Sequence, residues 1–314
     1  MSVGTPAEPV RALPGAAAAL ALLSVLGCGA PEPDASAAEE SAPPSAAPLD
    51  PAAYTPDLEE LEKEYDARLG VYALDTGTGR EVAFNADERF AYASTHKAFS
   101  AGAVLEANTM AELEEEVPIE AADLLPDSHS PVVSEHVGST MTLLEICDAA
   151  VRFSDNSAAN LLFEELGGPE GLDAALEELG DDVTQVDRVE PDLSEGRPGD
   201  DRDTSTPEAM ATTLRAYTLG DVLPEDKRAL LVDMLKRSRT GDALIRAGVP
   251  EGWEVGDKTG TAGYGARNDI AVVWPEEGGD PIVMAIMTGQ DDPEDEPQDA
   301  LVAAAAEVVA GALR

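Results

Sequence analysis

Ser94 and Lys97 stand three residues apart in "ASTHKAFSAGAVL" (93–105), just before a run of small apolar residues. One helical turn brings positions i and i+3 onto the same face, so the hydroxyl and the amine can meet. A serine hydroxyl is a poor nucleophile until a base takes its proton. A lysine desolvated in a cleft near other cations can have its pKa lowered enough to serve as that base. A helix start adds free N–H donors and the positive end of the helix dipole, which stabilise an alkoxide or an oxyanion. The same four residues also read as an N-cap serine beside a surface lysine, and alone they do not choose.

Two further tripeptides narrow the choice. "SDN" (Ser154, Asp155, Asn156) falls at a polar break between two helical patterns. "KTG" (Lys258, Thr259, Gly260), followed by Thr261, falls on a strand pattern. The three motifs in this order, on helix, helix junction and strand, resemble those of the class A serine β-lactamases, relatives of the penicillin-binding proteins. The resemblance covers roughly residues 57–314. Glu190, in "RVEPDLSEGRPGDDRDTSTP", matches an acidic loop that class A enzymes have and penicillin-binding transpeptidases lack.

The resemblance implies hydrolysis of the β-lactam amide of penicillins and cephalosporins, and so antibiotic resistance. Ser94 would attack the carbonyl, with the oxyanion between the backbone N–H groups of Ser94 and Thr261. Lys97, or Glu190 through a water, would take the serine proton, and both bases stay open. Glu190 would then hold the water that attacks the acyl-enzyme. Ser154 would relay a proton to the leaving nitrogen, and Lys258 would supply charge near it. Asn156, Thr259, Thr261 and Arg267 would bind substrate, the last three at its carboxylate. Arg188 and Asp203 match the ion pair that closes the acidic loop.

Some positions depart from the family pattern. Ser194 stands where an asparagine commonly helps to position the water, and a serine offers one donor instead of two. Ala262 stands where glycine is common, which crowds the strand edge facing the substrate. Neither Ala93 nor Ala262 is a cysteine, which argues against the disulfide-bridged carbapenemase subgroup. The rim segment "IEAADLLPDSHSP" lacks the aromatic often found there.

Other readings carry less of the sequence. A penicillin-binding peptidase or esterase of the same fold would acylate and release slowly, and Glu190 speaks against it. A non-hydrolysing β-lactam sensor leaves the intact motif set unexplained. A Ser-His-Asp hydrolase lacks a G-x-S-x-G around Ser94, and His96 cannot fold back from two residues away.

The elements that must position these groups follow from periodicity. "DLEELEKEYDARLG" predicts a helix ended by Gly70, then a β-hairpin of "VYALDT" and "REVAFN". From Ser94 to about residue 246 the pattern is helical. Strands return in "GWEVGDKTGT", "DIAVVW" and "PIVMAIMTG", and a long apolar-faced helix closes the chain. The expected fold is α+β: an antiparallel sheet built from both chain ends and flanked by helices, an all-helical lobe, and a cleft between them. Residues 183–207 fit neither pattern and read as a functional or disordered loop. The Glu190–Pro191 peptide is left open to cis or trans.

Before residue 57 the sequence changes character. Residues 15–27, "GAAAALALLSVLG", are too short to span a bilayer as a helix but suit a signal-peptide core over residues 1–27. Cys28 after "VLG" resembles a lipobox, which implies lipid on its sulfur and an extracytoplasmic, membrane-tethered enzyme. Leu26 is bulkier than that pattern usually shows, so an ordinary signal peptide is the alternative. Residues 28–56, rich in Ala, Pro, Ser and acid, read as a disordered tether.

Composition bounds the partners. The chain has 314 residues, with 63 Asp and Glu against 20 Lys and Arg, a formal net charge of -43. Such a surface repels nucleic acid and anionic membrane, leaving membrane contact only through a lipid on Cys28. A solvated acidic coat is the expected reading, and β-lactams are the expected partners of a monomer. With two cysteines and three scattered histidines (His96, His129, His136), no zinc spacing exists and no cofactor is expected. Cys147 lies in an amphipathic pattern and reads as a buried core thiol.

Overall fold

The strands in "DIAVVW" and "PIVMAIMTG" are runs of Val, Ile, Ala and Met that bury both of their faces, and this decides the architecture. In the computed structural model, residues 48–314 are described. The expected signal peptide, Cys28 and most of the expected tether lie outside the described residues. The strands are Arg68–Asp75 (β1), Glu81–Phe84 (β2), Glu254–Thr261 (β3), Arg267–Trp274 (β4) and Ile282–Gly289 (β5). They form one antiparallel sheet in the order β2-β1-β5-β4-β3. The main helices are Thr55–Tyr65 (α1), Lys97–Ala107 (α2), Leu143–Arg152 (α3), Asn156–Leu166 (α4), Pro169–Glu178 (α5), Pro207–Leu219 (α6), Glu225–Lys236 (α7) and Asp299–Leu313 (α8).

Side chains alternate across a strand, and β5 sorts its residues accordingly. Ile282, Met284 and Ile286 pack with Leu58 of α1 and Leu301, Val302 and Val309 of α8. Val283, Ala285 and Met287 face the other way, toward Phe99 of α2, Phe163 of α4 and Tyr217 of α6. Each fully buried Val, Leu, Ile or Met contributes roughly 1.5–3 kcal/mol of transfer free energy. With few aromatics, both cores rest on many such aliphatic contributions. Helix α2 is buried from Lys97 to Leu105, as expected of a helix apolar all round.

Two boundaries differ from the expected ones. Helix α1 ends at Tyr65, where Asp66 takes a left-handed conformation (φ 48) and its N–H donates to Glu62 O. Arg68 and Gly70 therefore belong to β1. Asp tolerates the left-handed region, and Leu69 and Val71 gain burial as strand residues that helix could not give them. Order also begins before residue 57. Pro51–Ala53 form a 3-10 turn capped by Asp50, whose carboxylate accepts from Ala52 N at 3.0 Å.

The segment 183–207 is a loop fastened at both ends. Thr204 and Ser205 pair with Ala91 and Phe90, and Gln185 N donates to Thr204 O at 3.0 Å. The loop's far end is thus tied to the strand that leads directly into Ser94. Cys147 on α3 is buried and free, and burial pushes its thiol far up.

Candidate active site

Ser94 lies in a 3-10 turn, Ala93–His96, that runs straight into α2. Ala93 has φ 50, a costly conformation for a residue with a Cβ. The turn abuts β3 at Gly260, where a Cβ would meet Tyr92 O at 2.7 Å. Only glycine lets the Lys-Thr-Gly strand approach the Ser94 turn this closely. Between turn and strand opens a cavity of about 440 Å³ lined by Ser94, Ser154, Asn156, Glu190, Ser194, Thr259, Thr261 and Arg267, and also by His129 and Thr240.

Lys97 is fully buried, and its Nζ lies 2.8 Å from Ser94 Oγ, 3.1 Å from Ser154 O and 2.9 Å from Glu190 Oε1. It also donates to Asn156 Oδ1. Ser94 Oγ in turn donates to Glu190 Oε1 at 3.3 Å. Burial lowers the ammonium's pKa, against the opposing pull of Glu190. Glu190 is as buried, which alone would raise its carboxyl, but the Lys97 charge and His96 hold it far below the usual range. The Glu190 carboxyl is therefore ionised, and it and the Lys97 amine flank the Ser94 hydroxyl.

Ser154, with φ 55, accepts from Lys258 Nζ at 3.0 Å, and Lys258 also donates to Thr259 O at 2.8 Å. Burial and the neighbouring Lys97 lower Lys258 well below its ordinary value. Arg267 reaches Thr261 Oγ1 at 2.8 Å, but its Nε donates to Asp299 of α8 at 2.6 Å. Lys97, Lys258 and Arg267 together thus supply less than three full charges: burial discourages two of them and a carboxylate offsets the third.

The loop holds Glu190 from below. Arg188 Nε meets Asp203 Oδ2 at 2.5 Å and Arg188 Nη1 meets Glu195 at 2.8 Å. Asp203 Oδ1 accepts from Asp187 N and Arg188 N, each at 3.0 Å, and from Tyr92 Oη at 3.3 Å. The Glu190–Pro191 peptide is cis. Ser194 Oγ donates to Glu190 Oε2 at 3.3 Å, and Ser194 O accepts from Gly263 N at 3.0 Å. The loop packs there on the β3–β4 turn. Gly196 (φ 66) leaves room beside Ala262, since a Cβ on it would lie 3.1 Å from the Ala262 methyl.

Several residues escape the motif reading. Asn160, one turn after Asn156, accepts from Glu190 N and donates to Glu190 O, both at 2.9 Å. The four-residue spacing in "SDNSAAN" is its only signal. Asp155 is structural: it caps α4 at Ala158 N (2.9 Å) and accepts from Val132 N and Val133 N at 2.9 and 3.0 Å. Ser128 accepts from Asn156 Nδ2, and Thr240 shares a 2.7 Å hydrogen bond with Thr259. His129 puts an imidazole ring on the rim expected to lack an aromatic, held at Phe153 O by a 3.0 Å contact.

This arrangement has counterparts. Residues 53–313 match the family described as "Beta-lactamase enzyme family". A "Beta-lactamase" of Amycolatopsis lactamdurans is 56% identical over 270 residues, 86% of this chain and 88% of that one. A "Beta-lactamase" of Bacillus licheniformis is 49% identical over 257 residues, 82% of this chain and 83% of that one. The crystal structure of a class A β-lactamase from Clostridium kluyveri superposes with a TM-score of 0.81 at 48% identity, covering 84% of this chain and 99% of that one. This chain belongs to the class A serine β-lactamases.

The crystal structure of a halotolerant bacterial β-lactamase also superposes, with a TM-score of 0.80 at 52% identity, over 82% of this chain and 98% of that one. The described residues of this β-lactamase thus carry the whole fold of its relatives, and its activity is hydrolysis of the cyclic amide of β-lactams.

Proposed function

We propose that this β-lactamase works through a Ser94 acyl-enzyme deacylated by a water that Glu190 holds. The observation that carries this is the convergence of Lys97 Nζ and Glu190 Oε1 on one hydroxyl, at 2.8 and 3.3 Å from Ser94 Oγ. Ser94 attacks the ring carbonyl, and its proton passes to Lys97, or to Glu190 through water. The backbone N–H groups of Ser94 and Thr261 take the oxyanion. Ser154, linked to Lys258, delivers a proton to the departing ring nitrogen. Glu190 then takes a proton from water as that water attacks the ester. Asn156, Thr259, Thr261 and Arg267 orient the substrate, and Ser194 helps to hold the water.

Penicillins and cephalosporins are the substrates this reading names, acted on by a monomer. An extracytoplasmic location, with lipid on Cys28, rests on the sequence of the leader alone. Steady turnover of a chromogenic cephalosporin, lost in Ser94→Ala, is the expected result. Glu190→Gln should still acylate, and mass spectrometry should find the drug left on the protein. A burst that stops in the unmodified protein would instead favour a penicillin-binding peptidase or esterase of the same fold.

A further inference from the structure

His96 sits between the nucleophile and Lys97, and the mechanism above gives it no task. Its side chain is 2% exposed and stacks on Phe163, with ring centroids 5.1 Å apart and 20° between planes. In shape it fills the place of a core aromatic. Yet its Nε2 is a buried polar atom without a hydrogen-bond partner, and it lies 3.9 Å from Glu190 Oε1. That gap is too long for a hydrogen bond and too short to admit a bridging water. The other ring nitrogen, Nδ1, lies 3.0 Å from Ser100 Oγ, one helical turn on. Electrostatics choose the tautomer. A lone pair on Nε2 would face a carboxylate oxygen, whereas an N–H faces it favourably while Ser100 donates to Nδ1.

We propose that His96 is a positioning residue for Glu190: as the Nε2–H tautomer it takes over Oε1 once Ser94 becomes an ester, and as an imidazolium it slows deacylation. The proposal rests on the reading of Glu190 as the deacylation base. In the free site Oε1 accepts from both Lys97 and Ser94. On acylation the Ser94 O–H bond breaks and its proton passes to the base, Oγ bonds to the carbonyl carbon, and the ring C–N bond breaks as its nitrogen takes a proton by way of Ser154. Oε1 then loses the Ser94 donor, while Oε2 must keep the water with only the short Ser194 hydroxyl beside it. A shift of under about 1 Å closes the His96 gap to a hydrogen bond and stops the carboxylate from turning away.

A proton on the ring reverses the effect, because a cation against Glu190 reduces the carboxylate's affinity for a proton. The groups facing the ring are Glu190 from the loop, Lys97 from α2, Lys258 from β3 and Tyr92 from the turn, with ring centroids 5.8 Å apart. From α4 it meets Phe163. Burial and the two lysines oppose protonation and Glu190 favours it, and the balance lies below the ordinary imidazole value. His96 is then neutral at neutral pH and charges only in acid, where deacylation falls.

The test separates the acylation burst from deacylation of a penicillin, from about pH 5 to about pH 8, in the full chain. In the wild type, deacylation should fall on the acid side while the burst persists. His96→Phe, which keeps the ring stack, should lower neutral-pH deacylation about tenfold with its burst intact. His96→Gln, a donor that does not titrate, should restore most of the rate and lose the acid fall. The 15N shifts of the ring should report the Nε2–H tautomer, a readout independent of activity and of whether His96→Phe folds. An Nδ1–H tautomer, an unchanged pH profile in His96→Gln, or a burst lost together with deacylation would overturn the proposal. Glu190→Gln runs alongside: normal deacylation there would sink the base assignment itself and this proposal with it, whereas a trapped acyl-enzyme leaves His96 to be judged on its own variants.

Discussion

Glu190 is aimed by its backbone as much as by its carboxylate, because a single side chain grips both its N–H and its carbonyl. Asn160→Ala removes both of those 2.9 Å hydrogen bonds in a half-buried setting, where lost or orphaned partners cost roughly 1–3 kcal/mol. The expected variant is less stable to urea by that amount and deacylates more slowly, with acylation affected less. Equal loss of both steps would show that Asn160 merely supports the fold. The Glu190 carboxyl also sets a pH dependence. Its folded pKa lies far below its ordinary value of 4.5, so its stabilising contribution is present above that value and is lost as pH falls toward the folded one. Denaturation curves should therefore find the stability gap between wild type and Glu190→Gln shrinking as pH drops below about 4.5. Residue types at fixed spacing single out Ser94, Lys97, Ser154, Asn156 and Lys258, whereas Glu190 is found only through the resemblance of its loop. Asn160, Thr240 and His129 are not legible, because a single polar residue outside a motif carries no signal until folding brings it to the cleft.

At the scale of elements, the loop from 183 to 207 is kept in register by Asp203. Its carboxylate gathers two backbone N–H groups, the Arg188 guanidinium and the Tyr92 hydroxyl. Tyr92 in turn precedes the Ser94 turn, so one acid couples the loop to the nucleophile's helix. Asp203→Asn replaces one accepting oxygen by an N–H₂ group and leaves Arg188 without its buried partner. Removing one member of a buried pair costs about 3–5 kcal/mol, with the lower end fitting the partly exposed Arg188. The expected consequence is faster hydrogen exchange across residues 185–203 and slower deacylation, with protection of the β5 amides unchanged. Exchange that accelerates uniformly over the molecule would instead mean that the whole fold had weakened. The pairing of Arg188 with Asp203 can be anticipated only from resemblance. The doubly buried strands are legible because "DIAVVW" and "PIVMAIMTG" are apolar on both faces. The end of α1 is not, because Arg68 and Gly70 suit a helix end locally, and only the burial of Leu69 and Val71 against distant helices decides for strand.

Over the whole molecule, charge of one sign prevails. A formal net charge of -43 on 314 residues makes the acidic surface repel itself, and folding brings those charges closer together than an extended chain does. Salt shortens the reach of that repulsion, from about 10 Å at 0.1 M to about 3 Å at 1 M. The buried Lys97–Glu190 pair is screened much less, so it should survive where surface interactions fade. Thermal melts should therefore rise in midpoint from about 0.05 M to about 1 M salt, and equally for sodium and potassium chloride, because screening depends on ionic strength. Under the proposed mechanism, the same salt weakens attraction between an anionic substrate and Arg267, which lines the cavity. KM for a penicillin should rise across that range while the deacylation rate stays nearly constant. A midpoint that is flat or falls with salt would mean that the described ion pairs, such as Arg188–Asp203 and Arg246–Asp257, outweigh the coat's repulsion. The stability of this fold would then rest on specific charge pairing instead of on screening.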